Sequence, residues 1–419
     1  MLIKQILLNI TGLICLIQFA NCQNNNSPYS IVGIGDIEHS SFDRTSGMGH
    51  SGMALSSNRF LYNANPASYS ALDDKFFNFE ISARAKFINY SGSPIAAGSD
   101  ASSDLQMKKF SLAIKIKTKW GVSFGILPYS TANYSFYGNK YILGTNLTVP
   151  AYYQGTGSVN QVYLSNAYQL TKNFSVGLQA AYLFGQLSQT ENISPGYGVD
   201  SALVTDRKIV VGSPYFKPGF QYNKKINKDW RLYLGGTATF KTTIDGFYNL
   251  TITDGNTTLP GYKDFKTQVI TLPAQYAGSI AAKLKDKYTF AVDYSFQNWS
   301  NLNYQGISYK LVNSNFLGIG FEAAKKQTYR DITIERHFWQ AGLFYSNSYL
   351  QITGQQISDY GVTFGGGKNF LRSNLGAQLN FEIGQRGTTT AGLIQERYAQ
   401  VNLILSYRDF WFVKVKKFD

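Results

Sequence analysis

The chain has 419 residues and a net charge of +14, from 39 Lys and Arg against 25 Asp and Glu. Only 15% of its residues are charged, against about 25% in an average soluble domain, while 15% are aromatic, with 30 Tyr and 29 Phe. That balance argues against two or three ordinary soluble domains, and without a basic run or a recognition module it argues against nucleic-acid binding. It suits a membrane β-barrel, which needs aromatic girdles, β-forming residues and turn residues. The basic excess has two readings: solvated lysines in turns and loops, or a lumen that favours anions.

Residues 1–22 have one early lysine, an apolar run over 6–19, then Ala20-Asn21-Cys22. The run is too short for a spanning helix and is expected to be a secretory signal peptide. Cleavage after Cys22 would leave Gln23 first; a lipid-anchored Cys22 is the alternative. Both cysteines, Cys15 and Cys22, lie here. The exported chain would then have no disulfide, no thiol chemistry and no cysteine-bound zinc. An exported chain of amphipathic strands points to a bacterial outer membrane and contact with its lipid.

Residues 23–74 are rich in Gly, Ser and Asn with no sustained period. Glycines at 33, 35, 47, 49 and 52 permit irregular backbone, yet Ile31, Ile34, Met48, Met53, Leu55, Phe60 and Leu61 demand burial. A plug inside the barrel satisfies both, because irregular backbone survives at membrane depth only inside protein or a water-filled cavity.

The first strand, over 76–90, sets Phe77, Phe79, Ile81, Ala83, Ala85 and Phe87 against Asn78, Glu80, Ser82, Arg84 and Lys86. Side chains on a strand alternate between faces, so one face is apolar and the other charged. The pattern recurs to the end of the chain. Strands are expected over 106–118, 121–136, 157–170, 173–188, 208–223, 228–244 and 269–285, then 287–300, 314–324, 336–348, 358–367, 373–383 and 397–407. With the first, that makes a transmembrane antiparallel β-barrel of about fourteen strands, over 75–419. Long and short connections alternate, as they do when short turns face the periplasm and long loops face outside. The link at 325–335 breaks this rule: it is a long connection on the short side.

Lys or Arg on the lipid face costs about 2–4 kcal/mol near the midplane, so Arg84, Lys86, Lys115 and Lys117 are expected to line the lumen. They would either hold an anionic head group or form an internal ion-pair ladder with Glu80, Asp36 and Asp43.

The histidines His39, His50 and His337 have no metal-ligand spacing, and no HExxH, GxSxG or Walker loop is present. His50 beside Ser51 is not a catalytic pair, since adjacency in sequence does not supply the geometry. No enzyme activity, metal or cofactor is expected.

The run TSGMGHSGMALSSN, followed by Asn65-Pro66-Ala67 just before the first strand, resembles the start of the FadL-like family of outer-membrane hydrophobic-compound transporters. The phrases GILPYS (125–130), NQVYLSNAYQL (160–170) and GQQISDYGVTFG (354–365), with the ending YRDFWFVKVKKFD, resemble versions common in the Bacteroidetes. The resemblance implies fourteen strands with an N-terminal hatch, which Asn65, Pro66 and Ala67 would tie to the wall. It also implies a kinked third strand that opens the lumen sideways to lipid, with Gly125 and Pro128 as the candidate break; the alternative is a proline that merely fits a bulge. Two functions follow from it. One is passive entry of small hydrophobic molecules such as long-chain fatty acids. The other is a structural barrel that docks a protein partner, as some members of the family do in protein-secretion machinery.

Overall fold

A computed structural model describes residues 27–92, 100–142, 148–194, 201–259, 263–303, 309–329, 332–370 and 374–411. The expected leader lies outside the described residues. The strands are β1 (Phe76–Gly92), β2 (Ala101–Lys117), β3 (Trp120–Thr131, continued by Tyr134–Tyr141), β4 (Thr148–Gln169), β5 (Phe174–Ile193), β6 (Leu203–Lys225) and β7 (Trp230–Thr239, continued by Thr242–Asp254). They continue as β8 (Lys263–Leu272 and Gln275–Leu284), β9 (Tyr288–Gln297, with a short return at Tyr309–Leu311), β10 (Ser314–Tyr329), β11 (Ile332–Ile352), β12 (Gln355–Phe370), β13 (Leu375–Arg386) and β14 (Ile394–Phe410). Each pairs antiparallel with the next, and β14 pairs with β1 from Phe76↔Phe410 to Gly92↔Ile394, which closes a fourteen-stranded barrel. Closure leaves no long edge to lipid, where an unpaired backbone group costs several kcal/mol.

The alternation decides which face is wet. On β1, Asn78, Glu80, Ser82 and Arg84 are buried inward, while Phe87 faces out. On β5, Leu178, Tyr182 and Phe184 are exposed to lipid, and Gln179 is buried. On β14, Leu403 and Leu405 face out and Asn402 faces in.

Several strands run well past the expected bounds at their outer ends. β4 begins at Thr148, and β6 and β7 continue as a paired hairpin up to Asp254↔Leu203. Above the bilayer the ladder bonds persist where the apolar alternation has stopped, so the hydrophobic period alone could not mark these extensions. The link at 325–335 is not a loop but the far end of one hairpin, paired from Lys326↔Glu335 to Tyr329↔Ile332 beyond a bulge at Lys325. As far as the described residues go, the long connection is paired strand rather than loop.

Residues 27–75 lie within the ring of strands. Their only regular pieces are 3-10 turns at Pro28–Ile31, Arg44–Gly47 and Pro66–Ala71 and the two-residue strand Asp36–Ile37.

Candidate functional site in the plugged lumen

The outer half of the lumen is filled with apolar side chains. Val32 and Ile34 of the plug pack among inward residues of the wall, including Leu127, Val159, Leu183, Val211 and Ile244. Trp299, from the turn after β9, is fully buried and stacks on Tyr349 at 4.4 Å. The plug's first residues are tied to the rim: Ser27 N donates to Asn133 O at 2.8 Å, and Ser27 Oγ to Glu396 Oε1 at 2.6 Å.

The inner half is held by charge and hydrogen bonds. Asp43 caps the turn that follows it, accepting from Thr45 N at 2.9 Å, and also accepts from Asn63 N at 2.8 Å. Arg44 is buried between Phe60 and Phe338, its guanidinium 4.3 and 4.0 Å from their centroids. It donates to Glu322 at 2.8 Å and forks onto both oxygens of Glu335 at 2.7 and 2.9 Å. Wall side chains satisfy the irregular plug backbone. Asp293 accepts from Gly52 N and Met53 N, Thr363 Oγ1 accepts from Gly49 N, and Gln221 donates to Met53 O and Leu55 O. The wall is also shaped for close approach. A Cβ at Gly342 would lie 2.1 Å from Gly49 N, so only glycine fits there.

Asn65 accepts from Ala67 N at 3.0 Å and donates through Nδ2 to Phe220 O of β6 at 2.9 Å. It thus caps the turn that holds Pro66 and Ala67 and joins it to the wall. Gly177 of β5 gives room for Ala67, whose N would be 2.4 Å from a Cβ there.

Between the two halves runs a charged belt. Glu38 binds Lys108 at 2.6 Å and Arg84 at 3.3 Å. Burial alone would raise the Glu38 pKa, but the Lys108 and Arg84 cations outweigh it and hold the carboxyl well below its usual range. Asp36 pairs with Arg386. His50 Nε2 lies 2.9 Å from Glu382; burial disfavours its charge, yet the Glu382 carboxylate raises its pKa. His39 stacks on Phe316 at 5.6 Å, and burial lowers its pKa.

The expected ladder partners differ from those found. Arg84 meets Glu38, Glu80 binds Lys109 at 2.6 Å, Asp36 meets Arg386, and Asp43 serves backbone. Lys86 does face the lumen, 4.3 Å above the Tyr398 ring. Lys115 and Lys117 do not belong to this belt. Lys115 sits at the inner rim, 3.5 Å from Asp74, and Lys117 is exposed beside the turn. A bulge between Lys115 and Lys117, placed at the bilayer edge, then frees Lys117 from either face.

Glu38, Lys108, Lys109, Arg386, Glu322 and Glu335 escaped the sequence reading. The Lys108-Lys109 doublet was the available signal. Two adjacent lysines cannot both face inward in a regular strand, and β2 has a bulge there opposite Ser82 and Ala83.

Among the described residues, lumenal cavities of about 120 and 180 Å³ share Glu38, His39, Ser40 and His50 on their walls. Arg84 and Asp104 line the first, and Arg84 Nε and Asp104 Oδ2 have no protein partner, which suits a pocket roomy enough for several waters. A larger apolar hollow, about 540 Å³, lies on the lipid side of the wall between Pro218, Phe220, Tyr276 and Tyr294.

The wall itself parts in one place near the plug. The β2–β3 ladder ends at Phe110↔Ile126, one residue past Gly125 and two before Pro128. Beyond it β3 stays on β4, with a bulge between Pro128 and Ser130. The plug strand takes the vacated edge, pairing Asp36↔Thr131 and Ile37↔Ser130, and Glu38 N donates to Tyr129 O at 3.0 Å. A second parting lies between Val211 and Gly219 of β6, a stretch that includes Pro214 and Pro218 and has no ladder partner on β7.

The fold is shared with solved channels of low sequence identity. The Pseudomonas putida toluene transporter TodX matches over 92% of this chain and 100% of its own, at 16% identity and TM-score 0.59. The Ralstonia pickettii toluene transporter TbuX covers 92% and 100%, at 16% and 0.57. A Pseudomonas aeruginosa FadL homologue covers 91% and 100%, at 14% and 0.62. No curated protein matches the sequence. The family model described as BamG matches residues 2–419. The chain is an outer-membrane β-barrel of FadL-like fold and belongs to the BamG family.

Proposed function

We propose that this protein is a structural barrel that docks a protein partner in an outer-membrane assembly or secretion complex, its own lumen held shut. The observation that carries this reading is the filled lumen. Apolar ligand sites are mostly apolar hollows with a few placed polar groups. Here apolar side chains crowd the outer half around Ile34 and Trp299. The lumenal cavities of about 120 and 180 Å³ set charged groups such as Glu38, Arg84 and Lys217 among their apolar lining, a poor solvent for a hydrocarbon.

A second reading is passage of small hydrophobic molecules, fatty acids or monoaromatics, by passive diffusion. The parting beside Gly125 and Pro128 favours it, as do the names of the toluene transporters that share the fold. In that case Pro128 marks a lateral gate, and Lys86 or Arg84 would meet a carboxylate head group.

Isolation in mild detergent after cross-linking in cells separates the two. The structural reading expects a stoichiometric protein partner and no saturable uptake of toluene or laurate. Isolation always alone, with uptake that falls in Pro128→Val, would reverse the order of the two readings.

A further inference from the structure

The basic excess of the chain gathers at one end. The described short turns there have exposed lysines at Lys119, Lys172, Lys228 and Lys285, with Lys368 near the end of β12 and Lys325 at the base of the hairpin. The exposed acids at that end are few, Asp74, Asp229 and Asp286.

Lysines at turn level need no protein partner, since they reach inner-leaflet phosphates. The hairpin is different. The β9–β10 ladder stops at Tyr288↔Ala323 and the β11–β12 ladder at His337↔Lys368. From Lys326↔Glu335 to Tyr329↔Ile332 the hairpin has no strand on either side among the described residues. Four pairs at about 3.3 Å each reach roughly 13 Å, while the headgroup layer on one side of a bilayer is only about 5–8 Å thick. The hairpin therefore passes through the headgroups into the periplasm.

Its base is fixed and its cations are left exposed. Glu335 turns inward to the Arg44 fork, and Asn369 Nδ2 donates to Glu335 O at 2.9 Å, so the base is fixed to plug and wall. Lys325, Lys326 and Arg336 are exposed, and among the described residues none has a carboxylate at ion-pair distance. Lysines do guard free strand edges against aggregation, and that is the bland account. It does not explain three exposed cations together on a hairpin that reaches past the lipid headgroups.

We infer that the periplasmic end is a docking surface for an acidic face of a partner protein, with the hairpin at Lys325, Lys326 and Arg336 as its contact. This rests on the structural reading above and names the surface that reading leaves open. Charge of this kind steers encounter and makes the contact salt-sensitive.

The test uses the full chain in nanodiscs of zwitterionic lipid, with labelled poly-L-glutamate as the acidic probe. Binding is expected to weaken several-fold between about 50 and 200 mM salt. The triple variant K325E/K326E/R336E should weaken it about tenfold or more, and K241E/K310E at the opposite end should not. Equal binding by the triple variant and the wild type would overturn the inference. In cells, a photo-crosslinking residue at Gln327 should give a polypeptide adduct that disappears in the triple variant; lipid adducts alone would refute the surface. If the triple variant keeps its cross-linked partner in mild detergent, the docking surface is wrong and the structural reading survives. If no variant has any partner, both fall.

Discussion

The outer and inner halves of the lumen are closed by different physics. Outside, Val32, Ile34 and Trp299 meet apolar wall residues, and neutral donors such as Ser130 and Tyr349 serve the plug carbonyls. Inside, Arg44 meets Glu322 and Glu335, and polar wall side chains serve an irregular backbone. The first kind of closure tolerates exchange of one apolar group for another of similar volume. The second fails when one partner is lost, because the other is left buried and charged. The seal should therefore be robust at the cell surface and fragile at the periplasmic side, where a partner could act on it.

The largest break in that comparison should come from Arg44→Ala. It strands two carboxylates and should cost about 3–5 kcal/mol, read as a lower unfolding midpoint and faster protease cleavage within residues 44–64. Arg44→Lys should recover only part, since a lysine cannot fork onto Glu335. Ile34→Ala comes next, at about 3 kcal/mol, with cleavage sites appearing near residue 34 rather than near 50. The two sites share no partners, so the double variant should be additive within about 0.5 kcal/mol in denaturant titrations. Strong coupling would show that the halves are one unit.

Asn65→Ala is a smaller probe, at about 1 kcal/mol, for the loss of a cap and of the bond to Phe220. Asn65→Asp keeps the cap but not the donor, and should fall between alanine and wild type.

The smallest effects are those of pH. His50 has a folded pKa above its ordinary 6.5, because Glu382 outweighs burial. Its contribution is complete below that ordinary value and is lost as pH rises through the raised one. Glu38 is the reverse. Held below its ordinary 4.5, it contributes above that value and loses its hold as pH falls through the lowered one. Plug protection should thus weaken slightly on the alkaline side in wild type, and this should vanish in His50→Gln. An unchanged alkaline profile in that variant would remove His50 from the belt.

The wall was legible because a strand repeats every two residues, and lipid punishes a charge on the wrong face; all fourteen strands overlap their expected ranges. The glycines and apolar residues of 27–75 raise the expectation of a plug, and those apolar residues, Ile34, Met48 and Leu61 among them, are buried. The partners were not legible. Arg44 and Glu322 are 278 residues apart, and Asp36 and Arg386 are 350 apart, so nothing local in either segment names the other. Lys117 was misplaced for a related reason: alternation extends only as far as the bilayer forces it to.

Hydrogen exchange along residues 27–75 tests most directly that the plug is a fixed part of the barrel. Amides at Gly49, Gly52, Met53 and Asn63, which donate to wall or plug carboxylates and to Thr363, should be protected as long as those of β5 and β14. Exchange of these amides within minutes, while the wall strands stay protected, would mean that the plug opens freely and that the lumen is a channel.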